Sequence, residues 1–241
     1  MSLDQFSVFS AGAGGLRLTR GSESTTKLSV YFRQALLTLA LLTATSPLYA
    51  QNASDSWDGG FGQKGTRRSD VVLELKLAPA LGWARGYPNE ASKIDDPAYL
   101  TNSHTAYGYD YGFWLGGALR DWFTFGIGYE GYHLQRKTLN VPGYDFSLRT
   151  EVYPLWSLGC PLYDLGVAID FGIGAMKMDR NGSPLADGGA MGLAGVEVFH
   201  ETWRIGGLAI GPTVGYRQFW SQSLHANVTF AGLHAAFYTG P

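Results

Sequence analysis

The sequence predicts an all-β fold: an eight-stranded antiparallel up-and-down transmembrane β-barrel, preceded by a signal peptide. Three observations predict it. Apolar residues alternate with other residues in eight successive segments from about residue 70 onward, the period-two signature of strands with two unlike faces. The face opposite the apolar one is nearly empty of side chains, as in Gly166, Ala168, Asp170, Gly172 and Gly174. Only 16% of the 241 residues are charged, against 33 glycines, 14 tyrosines, 13 phenylalanines and 7 tryptophans, which departs from an ordinary cytosolic enzyme.

Residues 1–27 show no apolar periodicity and read as an over-extended or disordered start. Residues 28–50 read as the signal peptide. Arg33 precedes a short apolar core from Ala35 to Leu42, and small and helix-breaking residues lead to a cleavage site after Ala50. That core is too short to cross a bilayer as a helix. Residues 51–69 are polar and glycine-rich, a flexible linker to the barrel at 70–241. Gly60, Gly62 and Gly65 have the spacing G-x-G-x-x-G, but no strand precedes them and no helix follows, so a dinucleotide site is not supported. Cys160 is the only cysteine, which excludes an internal disulfide and a thiolate metal cluster. A formal charge of −2 provides no basic field for nucleic acid.

The first segment sets Val71, Leu73, Leu75, Leu77, Leu81 and Trp83 against Glu74 and Lys76. The second sets Tyr107, Tyr109, Tyr111, Phe113, Leu115 and Leu119 against Gly108, Asp110, Gly112 and Gly116. In the third, Phe123, Phe125, Ile127 and Tyr129 oppose Thr124, Gly126, Gly128 and Glu130. The fourth runs from Tyr144 to Trp156 and opposes its aromatic and aliphatic residues to Asp145, Ser147, Arg149 and Glu151. The fifth spans residues 165–179. In the sixth, Val196 and Val198 flank Glu197. The seventh opposes Leu208, Ile210, Val214 and Tyr216 to Ala209, Gly211, Thr213 and Arg217. The eighth places Val228 and Phe230 with the apolar face and Asn227 and Thr229 opposite. Connections alternate between long and short, with 134–143 read as one of the long loops, the rhythm of a barrel with plain turns at one end.

An eight-stranded barrel has an interior only just wide enough for side chains. Glycine and alanine therefore suit the lumen, and the apolar stripe faces lipid. Inward charges on this parity are Glu74, Lys76, Asp110, Glu130, Arg149, Glu151, Asp170, Glu197 and Arg217. Buried charges persist when paired, so Arg149 and Arg217 are expected to be ringed by carboxylates in a static ionic network that fills the lumen. Aromatics near segment ends, namely Trp83, Tyr107, Trp122, Tyr144, Trp156, Tyr216, Trp220 and Tyr238, read as interfacial girdles.

In this pattern, over residues 70–238, the chain resembles the small bacterial outer-membrane barrels of the OmpA/OmpX type. The resemblance implies residence in the outer membrane, export through the periplasm, and insertion by the outer-membrane assembly machinery. That machinery commonly reads an aromatic-ended last strand; here Phe237 and Tyr238 are followed by Thr239, Gly240 and Pro241. Expected partners are outer-membrane lipids and lipopolysaccharide, with no nucleic acid and a monomeric state. No catalytic residue, metal or cofactor is expected, and the role is structural or a surface interaction.

Three other functions fit the pattern less well. A narrow ion pore needs a water path past the inward charges. A lipid A hydrolase or acyltransferase would need a Ser/His pair, for which Ser103 with His104, and Ser221 or Ser223 with His225, are the candidates. His200-Glu201 opens like a zinc motif, but position 204 is Arg. A soluble lipocalin-like binder of apolar ligands would carry more charge on its solvent face than these glycines allow.

Overall fold

The computed structural model describes residues 68–158 and 162–240. The expected start, signal peptide, Gly60–Gly65 motif and Cys160 lie outside the described residues. Eight long strands follow one another: β1 (Asp70–Gly86), β2 (Ala106–Arg120), β3 (Phe123–Arg136), β4 (Leu139–Val152), β5 (Leu165–Arg180), β6 (Met191–His200), β7 (Leu208–Trp220) and β8 (Leu224–Tyr238). Each pairs antiparallel with the next. β8 pairs back onto β1 from Val72↔Tyr238 to Gly86↔Leu224, so the sheet closes and leaves no long edge. Beyond Tyr238, the Thr239 N–H donates to the Val71 carbonyl at 2.9 Å and extends the seam.

β1 begins and β8 ends at the same end of the barrel, the proximal end, which also carries the connections 121–122, 153–164 and 201–207. The distal end carries 87–105, 137–138, 181–190 and 221–223. Length does not sort by end, which corrects the expected rhythm. The supposed long loop at 134–143 is strand on both sides of a two-residue turn, Lys137–Thr138, with Lys137 in the left-handed region at φ 53°. β4 correspondingly stops at Val152, so Trp156 lies in a connection. Three short strands decorate the rim: Thr101–Asn102 on β1, Ser183–Asp187 on β5 and Trp203–Ile205 on β7. The second reaches across the distal mouth, where the Asp187 N–H donates to the Tyr87 carbonyl (3.1 Å) and Ser223 Oγ donates to the Asp187 carbonyl (2.6 Å).

The apolar stripe faces out. Leu75, Leu77, Phe113, Leu115, Phe125, Ile127, Phe146, Leu148, Phe171 and Ile173 are all exposed, and Ile173 is 69% exposed. In water so large an apolar surface would drive association; against acyl chains it is matched. β8 corrects the expected parity. Val228 and Phe230 point inward and are buried, while Asn227 and Thr229 face out. Asn227 is accommodated outside because its amide, oriented to donate to Tyr216 Oη (2.9 Å) and accept from Trp83 Nε1 (3.2 Å), sits within the distal aromatic belt.

The lumen is layered. Its distal part is an apolar cap that includes Leu134, Val141, Met176, Met178, Met191, Leu193, Phe219, Val228 and Phe230. Below it lies a band of charged side chains, and the proximal mouth is closed by Tyr153, Phe199, Tyr238 and a second set of charges.

Candidate functional site in the barrel lumen

All nine charged residues read as inward are buried in the lumen. Register explains how long side chains fit: they stand opposite residues with none. Arg217 pairs across from Gly195, where an added Cβ would come 2.8 Å from Arg217 Cγ. Gly126 gives the same room to Trp114, whose Cζ2 would lie 2.8 Å from a Cβ there. The empty face of the sequence is the space into which neighbouring strands project.

Three cations organise the band. Arg149 reaches Glu151 (2.8 Å), Glu197 (3.0 Å), Asp170 (3.3 Å) and Glu74 (3.7 Å). Arg217 contacts Glu130 closely and reaches Asp170 (3.0 Å), Asp110 (3.6 Å) and Glu197 (3.8 Å). Lys76 bridges Glu130 (2.6 Å) and Asp110 (3.2 Å), with Glu197 at 3.8 Å. Hydroxyls complete the shell: Thr124 Oγ1 donates to Glu151 (2.7 Å) and Thr213 Oγ1 to Glu197 (2.6 Å). Tyr132 Oη donates to Asp145, a carboxylate that alternation places inward but that the expected ion-pair set omitted. Glu130, Asp170 and Glu197 approach one another closely enough for a cation, but each is already held by an arginine, and Glu130 and Glu197 by Lys76 too. The band is an interlocked salt-bridge network rather than a vacant metal centre.

A second cluster, which alternation does not reveal, seals the proximal mouth. Arg68, at the end of the segment read as a flexible linker, is 1% exposed. Its guanidinium donates to Asp164 (2.6 Å), to Glu201 (2.7 Å) and to the Asp121 carbonyl (3.1 Å), and lies over the Tyr153 ring at 3.5 Å. One side chain thereby ties together all three proximal connections. Tyr153 Oη donates to Glu201 at 3.0 Å, and Tyr238 and Arg204 donate to the same carboxylate. Burial opposes charge on Glu201, yet Arg68, Arg204 and the Tyr238 hydroxyl hold its carboxyl well below the usual carboxylate range. The same pairing lifts the Arg68 guanidinium above its ordinary value against the opposing effect of burial.

Of the aromatics read as girdles, Trp83, Tyr107, Tyr144 and Trp220 are exposed on the distal half of the wall, and Tyr216 is half-buried beside them. Trp122 and Trp156 are exposed at the proximal end. Tyr238 is a correction. It is 2% exposed and points into the lumen, on the same face of β8 as Val228 and Phe230. The candidate Ser/His pairs do not assemble among the described residues. Ser103 Oγ accepts from the Ala84 N–H and donates to the His104 carbonyl, and Ser223 Oγ is spent on the Asp187 carbonyl.

A closed antiparallel barrel with an apolar outside and an ionic inside is a small transmembrane barrel of the outer-membrane class, with the architecture of the OmpA/OmpX type. No protein-family model matches the chain, and no curated protein matches it in sequence. Among solved structures it is similar to neisserial surface protein A, at 11% identity and a TM-score of 0.45, over 68% of this chain and 95% of that one. It is similar to Ail, the attachment invasion locus protein of Yersinia pestis, at 9% identity and a TM-score of 0.40, over 70% and 99% of the two chains. OprG of Pseudomonas aeruginosa matches at 8% identity and a TM-score of 0.36, over 71% and 98%. The class rests on this chain's own strand pairing and exterior.

Proposed function

We propose that the chain is a non-conducting, non-enzymatic, monomeric outer-membrane barrel whose role is structural or a surface interaction. The observation that carries this reading is the filled lumen: among the described residues an ionic network, an apolar cap and a proximal seal lie in series along it. The proximal end faces the periplasm, since an even number of strands returns both barrel termini to the side from which an exported chain inserts. The distal connections then face the medium. The lipid-facing wall meets membrane lipids and lipopolysaccharide, and the barrel reaches its place through the outer-membrane assembly machinery.

The test is fractionation of expressing cells followed by extraction. The protein should sediment with outer membranes, resist alkaline carbonate, and leave the pellet only with detergent. Recovery as a monodisperse species in plain buffer would defeat the reading. Unchanged lipid A mass on expression is the expected result for a barrel without lipid-modifying activity.

A further inference from the structure

A cavity of about 250 Å³ opens at the proximal rim, its lining including Arg68, Leu119, Arg120, Asp121, Trp122 and Trp156. It stands where the apolar wall gives way to water, the depth at which tryptophan settles in a bilayer. Leu119 is 65% exposed at its edge, and Trp122 and Trp156 are exposed beside it. A β-bulge between Ala118 and Arg120 breaks the register with β3, and bulges re-aim the side chains that follow them. Arg120 emerges exposed and makes no ion pair among the described residues. The other guanidinium in the lining, Arg68, is committed to Asp164 and Glu201. Asp121 accepts the Arg68 N–H on Oδ1 (3.2 Å), and its carboxylate belongs to the cavity lining.

The lining thus offers one uncommitted guanidinium, one carboxylate next to it in sequence, and an apolar edge continuous with the lipid-facing wall. We propose that this cavity seats the headgroup of a glycerophospholipid carrying a primary ammonium, phosphatidylethanolamine, from the leaflet at the proximal end. The phosphate meets Arg120, for which a planar fork of donors is the fitting partner. The ammonium turns towards Asp121, and the acyl chains descend over Leu119. A free phosphate would match Arg120 alone and leave the apolar edge unused. The proposal rests on the membrane reading and on the proximal end lying in a phospholipid leaflet.

The test titrates the folded protein, in a mild detergent, with short-chain phosphatidylethanolamine, phosphatidylglycerol and phosphatidylcholine, and counts adducts by native mass spectrometry. One phosphatidylethanolamine should saturate a single site ahead of the other two. Phosphatidylglycerol lacks the ammonium, and the quaternary head of phosphatidylcholine cannot donate to Asp121. Arg120→Gln should weaken the adduct about tenfold, the size expected for losing a hydrogen bond to a charged group. Leu119→Gln should weaken it as well, whereas Arg85→Gln at the distal end should leave it unchanged. Equal uptake of the three lipids, no adduct on the wild type, or an adduct indifferent to Arg120→Gln would overturn the proposal. A protein that needs detergent yet takes no headgroup loses only this site; one that is soluble without detergent loses the membrane reading too.

Discussion

Arg149 is one of the two arginines on which the ionic band converges, with four carboxylates within 3.7 Å. Replacing one partner of a buried pair leaves the other charge desolvated and unmatched, so Arg149→Met should cost about 3–5 kcal/mol. Urea unfolding in micelles, followed by tryptophan fluorescence, measures this, and Arg149→Lys should fall between the two because an ammonium cannot span the same four acceptors. Glu201 makes the residue-scale prediction for pH. Its carboxyl is depressed in the folded state, from a reference of 4.5. Its contribution to stability is therefore fully present above the unfolded value and is lost as pH falls below about 4.5 towards the folded value. Wild type should lose stability across that acid range, and Glu201→Gln should be weaker at neutral pH and flatter below it. An identical acid slope in the two proteins would show that Glu201 is not the group responsible.

At the scale of one strand, β5 separates its two environments most cleanly: Ile169, Phe171 and Ile173 face out, and Ala168, Asp170 and Gly172 face in. Ile173→Arg should destabilise the inserted barrel by about 2–4 kcal/mol if that position lies near the bilayer midplane, falling towards the interfaces. A comparable substitution on a water-exposed strand would stay within about 0.5 kcal/mol. Refolding into lipid vesicles at a series of urea concentrations distinguishes these outcomes. β5 was legible in the sequence for the same reason that it is testable: its two faces differ sharply in polarity. β8 was not, because its distal half feeds the apolar cap. There Val228 and Phe230 point inward while Asn227 and Thr229 face the aromatic belt, so the polarity contrast inverts. The turn at Lys137–Thr138 was missed because it carries no glycine, while Pro142 and Gly143 inside β4 imitate a loop. Arg68, Asp164 and Glu201 lie outside the long strands, where no period marks which side chains turn inward; only the tertiary closure brings them together.

For the molecule as a whole, the order of layers decides whether anything passes. An ion entering from the proximal end would first have to break the Arg68 clasp on Asp164 and Glu201. It would then have to displace Lys76, Arg149 or Arg217 from carboxylates they already bridge. Beyond that stands the distal cap, where Met176, Met178, Leu193, Phe219 and Phe230 are buried and offer no polar partner to replace hydration. A salt-bridge gate could open by exchanging partners, but exchange within the ionic band leaves the apolar cap closed. The barrel reconstituted in a planar bilayer should therefore show no unitary conductance at moderate voltage, and Arg149→Ala or Arg217→Ala should stay silent while losing stability. The Ser183–Asp187 segment is held across the distal mouth by the Tyr87 carbonyl and Ser223 Oγ. Deleting it should raise proteolytic sensitivity at that end without producing a current, because Phe219, Phe230 and the methionines close the lumen from the strands themselves. Steady ohmic steps from the wild-type protein would show that the cap is permeable and would remove the basis for a non-conducting barrel.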